Sequence, residues 1–322
     1  MGVRILTEAE VGRLLPVADA MRVLESAFLE AASGRGPSQP RRRVVTPPAV
    51  LHMMAAALPD RGVGGYKAYC TTPRGASFII TLFDLATGRV LGMMEGDRLG
   101  QIRTGAASGV ATRHMAREDA TIGAVIGTGW QAETQLEAIC AARPLAEVRV
   151  YGRDPARRAA FVERMRPRVG ARLVPVESGE AAVRGAHVVC TITNSRTPVL
   201  EGAWLAPGTH VNAAGVNWPN RRELDEAAVR RAARVVVDDI ETARLESGTL
   251  LPVIEAGHLA WDAISPLADV VAGRAPGRRR PEEITLFVSH GLALEDVACG
   301  AFVLERARAE GAGRELPLFG PE

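Results

Sequence analysis

The sequence predicts an α/β protein of two domains, one built on a parallel sheet and the other on a mostly antiparallel one. Three observations predict it. From Thr121 onward, apolar stretches of strand length alternate with helix-forming stretches, the pattern of right-handed βαβ crossovers. Between Arg41 and Glu95, short apolar stretches follow one another with only turns between them, as in an antiparallel sheet. The chain has 322 residues and 47% hydrophobic content, enough for about two cores. The expected division is 1–117 with 298–322 for the α+β domain, and 118–297 for the parallel one.

Each element has a local reason. Thr7 and Glu10 form a capping box over a short helix, and Pro16 ends it. Met21, Leu24, Phe28 and Ala31 recur at helical spacing up to Gly34. Strands follow at 41–46, 50–56, 63–70, 77–83 and 89–95, broken at Pro47-Pro48, Asp60-Arg61-Gly62, Pro73-Arg74-Gly75 and Thr87-Gly88. Residues 99–116 read as a helix rich in small residues that joins the two domains. Parallel strands are expected at 121–126, 148–152, 172–176, 187–192, 209–213, 235–238 and 284–288. Asp154-Pro155 starts the second helix of this series. A helix at 223–233 begins with Glu223 and Asp225. A last helix, 292–310, offers Leu292, Val297, Phe302 and Leu304 to the core and returns to the first domain.

The stretch from Thr121 to Ala132 organises the second domain. Ala124, Val125 and Ile126 are apolar without interruption, as in a strand buried on both faces. Gly127-Thr-Gly129-Trp130-Gln131-Ala132 then gives Gly-x-Gly-x-x-Ala, followed by a helix. That arrangement suits a dinucleotide. Gly127 permits the turn, Gly129 admits a pyrophosphate to the backbone, and the helix N-terminus faces the phosphates. The domain is therefore read as a Rossmann fold. The strand 148–151 ends in Gly152-Arg153-Asp154. An acid here favours NAD, whereas Arg suits a ribose phosphate. With Asp154 committed to capping, Arg153 indicates NADP(H) as the preferred cofactor, NAD(H) remaining possible. The competing reading of Arg153 is a solvated surface residue.

Composition excludes several classes. A net charge of +2 gives no case for nucleic-acid binding, and the Arg run 278–280 reads as an exposed loop. No apolar run has membrane length, and no signal-peptide pattern opens the chain. Cys70, Cys140, Cys190 and Cys299 are scattered, so reduced thiols and a cytoplasmic location are expected. The six His lack metal-ligand spacing, so no metal is expected. One count stands out. Of 39 basic residues, 38 are Arg, and the one Lys is Lys67. Its amine is compact and its pKa can be shifted, which guanidinium cannot match. The competing reading is a chance survivor. Arg103, read at the start of a helix, has the form of a carboxylate clamp.

Gly65-Tyr-Lys67, Asp84 with Thr87-Gly88, Arg103-Thr-Gly-Ala-Ala and the Gly127–Ala132 turn together resemble the ornithine cyclodeaminase/mu-crystallin family. So do Asn212-Ala-Ala-Gly215, Pro219, Arg222-Glu-Leu-Asp225, Ser289-His-Gly291 and Leu294-Glu-Asp296. These motifs run from about residue 40 to 300. The resemblance implies NAD(P) and a small α-imino or α-amino acid. It also implies a homodimer formed through the first domain, which would bind the substrate. It places Arg41, Lys67 and Arg103 on the substrate carboxylate, with Arg43 a rival to Arg41, and Lys67 beside the reacting carbon as a proton-transfer group. Thr191, Asn194 and Asn212 would lie near the cofactor, and the loop from Ser289 through Gly291 to Leu292 would cover the nicotinamide.

Two departures from the family pattern matter. Where ornithine cyclodeaminases carry an Asp that acts on the substrate amine, this chain has Asn217. Where they carry a Glu before Gly-Tyr-Lys, it has His52 or Met54. Asn cannot take up a proton at neutral pH. Asn217 is read as a group that tolerates a cationic nitrogen, or else as a turn residue before Trp218-Pro219. The expected activity is NAD(P)H-dependent reduction of a cyclic ketimine carboxylate such as pyrroline-2-carboxylate. The alternatives are ornithine cyclodeamination and a non-catalytic NADPH-binding protein like mu-crystallin.

Overall fold

The computed structural model describes residues 2–318. Internal contacts separate two compact units, one of Met1–Arg103 with Leu292–Glu322, the other of Thr104–Gly291.

Unit one holds a seven-stranded sheet. Its strands are β1 (Val3–Leu6), β2 (Arg42–Thr46), β3 (Ala49–Leu58), β4 (Val63–Thr72), β5 (Gly75–Asp84) and β6 (Val90–Glu95). Arg314–Leu316, at the far end of the chain, is β15, and the order is β15-β1-β6-β5-β4-β3-β2. The five strands expected between Arg41 and Glu95 are β2 to β6, all antiparallel to their neighbours in sequence. Burial in β3 alternates strictly from Leu51 to Met54, with His52 and Met54 inward and Leu51 and Met53 outward. One face is therefore core and the other faces out. Helices α1 (Glu8–Leu14), α2 (Val17–Ala32) and α11 (Ala293–Glu310) belong to this unit. The Thr7–Glu10 capping box opens α1 as expected, and α2 ends before Gly34, whose φ is +79°. Leu292, Val297 and Leu304 are buried as expected. Phe302 is not: it stays partly exposed and packs under the Arg306 guanidinium.

Helix α3 (Asp97–Met115) crosses the border between the units, which falls at Arg103/Thr104. At its C-terminal end the Arg143 guanidinium donates to Arg113 O within the helix and to Ala116 O and Arg117 O just beyond it, at 2.8–2.9 Å.

Unit two holds eight parallel strands: β7 (Ile122–Ile126), β8 (Glu147–Tyr151), β9 (Arg172–Pro175), β10 (Val188–Thr191), β11 (His210–Ala213), β12 (Ala232–Val237), β13 (Ile264–Pro266) and β14 (Ile284–Val288). Their order is β13-β12-β14-β11-β10-β7-β8-β9. This is the doubly wound Rossmann order, reversing direction between β7 and β10. Its helices are α4 (Ala132–Ala142), α5 (Pro155–Met165), α6 (Gly179–Val183), α7 (Glu226–Arg231), α8 (Ile240–Glu246), α9 (Leu251–Glu255) and α10 (Leu267–Val271). Core forms on both faces of the sheet. Ala124, Ile126, Val189 and Val211 pack on one side, and Val125, Val148, Val150 and Val188 on the other. That explains the uninterrupted apolar runs.

Two expectations in this unit need correcting. Glu223 does not begin a helix. Helix α7 starts at Glu226 with Asp225 as its N-cap, and Glu223 is wholly buried before it. The Arg run is not uniformly solvated either. Arg279 and Arg280 are exposed, but the Arg278 guanidinium donates to Met115 O, Glu283 O and Gly208 O. Among the described residues, no helix is long and apolar enough to cross a membrane.

Candidate active site

The turn after β7 opens onto a cavity of about 460 Å³. Its walls come largely from the C-terminal ends of three neighbouring strands, Gly127 to Gln131 after β7, Gly152 to Asp154 after β8 and Thr193 to Ser195 after β10, with Arg157, Val199 and Gly215 completing them. Ligands of doubly wound sheets bind at this switch point. Gly127 sits at φ +125°, and a Cβ there would stand 2.3 Å from Ile192 O, so only glycine fits. Gly129 has nothing within 4 Å of its would-be Cβ and leaves the backbone open to the cavity. Volume, glycine turn and switch-point position all fit a dinucleotide. Asp154 caps α5 by accepting from Arg157 N at 3.0 Å. Arg153 lines the cavity and is exposed, and Arg157, which the sequence reading passed over, lines it as well.

Trp130, Gln131 and Asn194 also line this cavity, whereas Thr191, Asn212, Ser289 and Gly291 are not among its lining residues. The last four are engaged by the protein itself. Thr191 Oγ1 donates to Glu223, and Asn212 Nδ2 donates to Thr112 Oγ1. Asp238 Oδ2 accepts from Ser289 Oγ and from the backbone N–H groups of His290 and Gly291. Asp238 Oδ1 faces His290 Nδ1 at 3.1 Å. Burial pushes the Asp238 carboxyl up, but His290 and the backbone N–H groups of Gly291 and His290 draw it below the usual carboxylate range. Burial pushes the Glu223 carboxyl up. Asn217 lies half-buried in the loop beyond Gly215.

In unit one, Lys67 is buried on the inner face of β4, directly across from Met54 on β3 and Ile80 on β5. Its Nζ donates to Asp296 Oδ1 at 3.0 Å. Arg103 Nε donates to the same oxygen at 3.2 Å, and Arg103 Nη1 donates to Glu295 Oε2 at 2.9 Å. Burial presses the Lys67 ammonium below the usual lysine range; Asp296 opposes this, while Arg103 and Arg41 add to it. The expected position of Arg103 at a helix start is corrected. It is the seventh residue of α3, too far from the N-terminus for the helix dipole to help. The first turn of α11 supplies its partners instead.

Arg41 is buried just before β2, and its charge acts on both Lys67 and Asp296. Arg43 stands across from His52 on the next rung. His52 is buried, stacks on Tyr69 with ring centroids 4.1 Å apart, and has its pKa lowered to about 4 by burial and by Arg43 and Arg41. It is neutral at pH 7.

Sequence reasoning missed Glu295, Asp296, Asp238 and Glu223 as buried bonding partners. The signal for two of them was present. Acids at the start of an otherwise buried helix have to find cations, and the one Lys of the chain was a candidate partner.

Comparison with known proteins agrees with this architecture. A Delta(1)-pyrroline-2-carboxylate reductase from Bacillus cereus is 38% identical over 239 residues, 74% of this chain and 73% of that protein. A solved Thermococcus litoralis Delta(1)-pyrroline-2-carboxylate reductase, in complex with NADH and L-proline, superposes with a TM-score of 0.93 at 33% identity, covering 98% of this chain and 100% of that one. An archaeal alanine dehydrogenase dimer with bound NAD gives 0.93 at 32% identity, covering 99% and 100%. The family model described as ornithine cyclodeaminase/mu-crystallin family matches residues 2–311, and the chain belongs to that family.

Proposed function

We propose that the protein is an NAD(P)H-dependent oxidoreductase that reduces a cyclic ketimine carboxylate, such as pyrroline-2-carboxylate, to the amino acid. The observation that carries this reading is the buried Lys67–Asp296–Arg103 cluster. Unit one acts as the substrate-binding and dimerisation domain. Arg41 and Arg103 hold the substrate carboxylate, and Asp296 fixes both Arg103 and Lys67 in place. Lys67, its proton loosened by burial, donates from Nζ toward the imine nitrogen. Asn217 stands where cyclodeaminases carry a carboxylate, and its amide tolerates a cationic nitrogen without taking up a proton. Bound in the unit-two cavity, the dinucleotide supplies the hydride. The solved relatives carry NADH and NAD, but Arg153 and Arg157 on the cavity wall favour NADPH here.

Cyclodeamination of ornithine is the weaker reading. It calls for repeated proton transfers at the substrate nitrogens. Where cyclodeaminases have two carboxylates, this chain has Asn217 and either the neutral His52 or the apolar Met54. Retained carboxylate-binding cations also argue against a protein that binds NADPH without turnover. The test is a panel of imino acids with NADPH and NADH, run beside ornithine with NAD. Oxidation of NADPH by pyrroline-2-carboxylate or piperideine-2-carboxylate supports the reading. Catalytic release of proline and ammonia from ornithine overturns it.

A homodimer is part of the proposal. The outward face of the unit-one sheet exposes Val44 (62%), Leu51 (40%), Met53 (49%) and Ile79 (37%), on β2, β3 and β5, with β4 between the last two. A second copy suits this face, and the similar archaeal alanine dehydrogenase is itself a dimer. Sedimentation as a monomer at micromolar concentration would rule it out. The four free cysteines suit a reducing, cytoplasmic setting.

A further inference from the structure

Glu223 is fully buried, yet its side chain reaches two loops that line the cavity. Oε1 accepts from the backbone N–H of Thr193 at 2.5 Å. Oε2 accepts from the backbone N–H of Gly215 at 2.8 Å and from the Thr191 hydroxyl at 3.0 Å. Thr193 follows β10 and Gly215 follows β11. The Glu223 main chain adds a third lining segment, since its carbonyl accepts from Val199 N at 2.7 Å. The packing leaves no slack: a Cβ on Gly215 would stand 2.2 Å from Thr193 O and 2.5 Å from Glu223 Oε1.

We propose that Glu223 is a positioning residue for dinucleotide binding, which fixes the loops after β10 and β11 at the separation the dinucleotide needs. The inference rests on the reading of the cavity as the dinucleotide site. Only a carboxylate satisfies both loops. Two backbone N–H groups approach its two different oxygens, and an amide side chain must turn its NH₂ toward one of them in either orientation. One loop then faces a donor with a donor. The geometry also explains why a buried acid is kept near a phosphate-bearing ligand: its charge is spent on protein donors on the side away from solvent.

The test is Glu223→Gln. NADH or NADPH affinity, read by fluorescence titration, should weaken roughly tenfold, the scale of one buried donor left unmet. At saturating cofactor, kcat and the KM for pyrroline-2-carboxylate should stay within about twofold, whereas the KM for the cofactor rises. A purely structural role would lower the melting temperature without that split. Unchanged cofactor affinity in a folded variant overturns the proposal while leaving the dinucleotide reading intact. Failure of the wild type to bind either cofactor overturns both. Should the variant not fold, hydrogen exchange on the unliganded wild type decides. The Thr193 and Gly215 amides must be strongly protected, and rapid exchange of either sinks the proposal.

Discussion

In unit one, charged side chains are buried together: Lys67, Arg103, Glu295 and Asp296 are each less than 10% exposed. In unit two, the cavity turn is mostly backbone, shaped by Gly127 and Gly129, and the cations on its wall, Arg153 and Arg157, are exposed. The difference is one of tolerance. A buried charge network is costly to assemble, and each member is held by the others, so losing one strands the rest. A backbone site is indifferent to most side chains and fails only where a Cβ or a misplaced loop intrudes. Unit one should therefore couple stability to chemistry, and unit two should keep cofactor affinity separable from both.

Arg103→Ala offers the hardest test of that contrast. It takes the guanidinium away from Glu295 and leaves Lys67 as the remaining cation on Asp296, so stability should fall by about 3–5 kcal/mol, with KM for the imino acid raised as well. A loss of stability below about 1 kcal/mol in denaturant titration would show that the network is not coupled. Lys67→Arg keeps the charge and an Asp296 partner but removes the titratable amine. Turnover should fall at least ~100-fold while the protein folds and binds cofactor normally. Turnover like the wild type's would leave Lys67 a structural cation. Arg153→Ala should change neither stability nor kcat. It should cost NADPH, and not NADH, about 1.5–3 kcal/mol of affinity, as expected for a hydrogen bond to a charged group. Equal loss for both cofactors would break the assignment of Arg153 to the ribose phosphate.

The same contrast governs what could be read from the chain alone. The unit-two turn is contiguous: strand, glycines and helix lie within about twenty residues, so local rules suffice. Lys67 was conspicuous through composition alone. Its partner Asp296 is 229 residues away, and the Arg103 partner Glu295 is 192 residues away. No local pattern joins positions so far apart. Arg103 was therefore credited to a helix end that lies two turns earlier. Glu223 was taken as a helix starter for a related reason, because an acid just before a helical run looks like a cap until its burial is seen. The strands β1, β13 and β15 were missed because three or four residues show no period and these lack the uninterrupted apolar run that marks β10.

The placement of α11 has a consequence for how the protein is made. During synthesis all of unit two, ending at Gly291, precedes the acids at 295 and 296. Domains tend to fold as units while the chain is still emerging, so the parallel sheet can form first. Unit one has Lys67 and Arg103 in hand for some two hundred residues before their counter-ions arrive, and pairings this distant in sequence are slow to close. An incomplete chain therefore carries a finished nucleotide fold and an electrostatically unbalanced partner. A nascent protein of this design has no complete buried charge cluster until its last helix is in place.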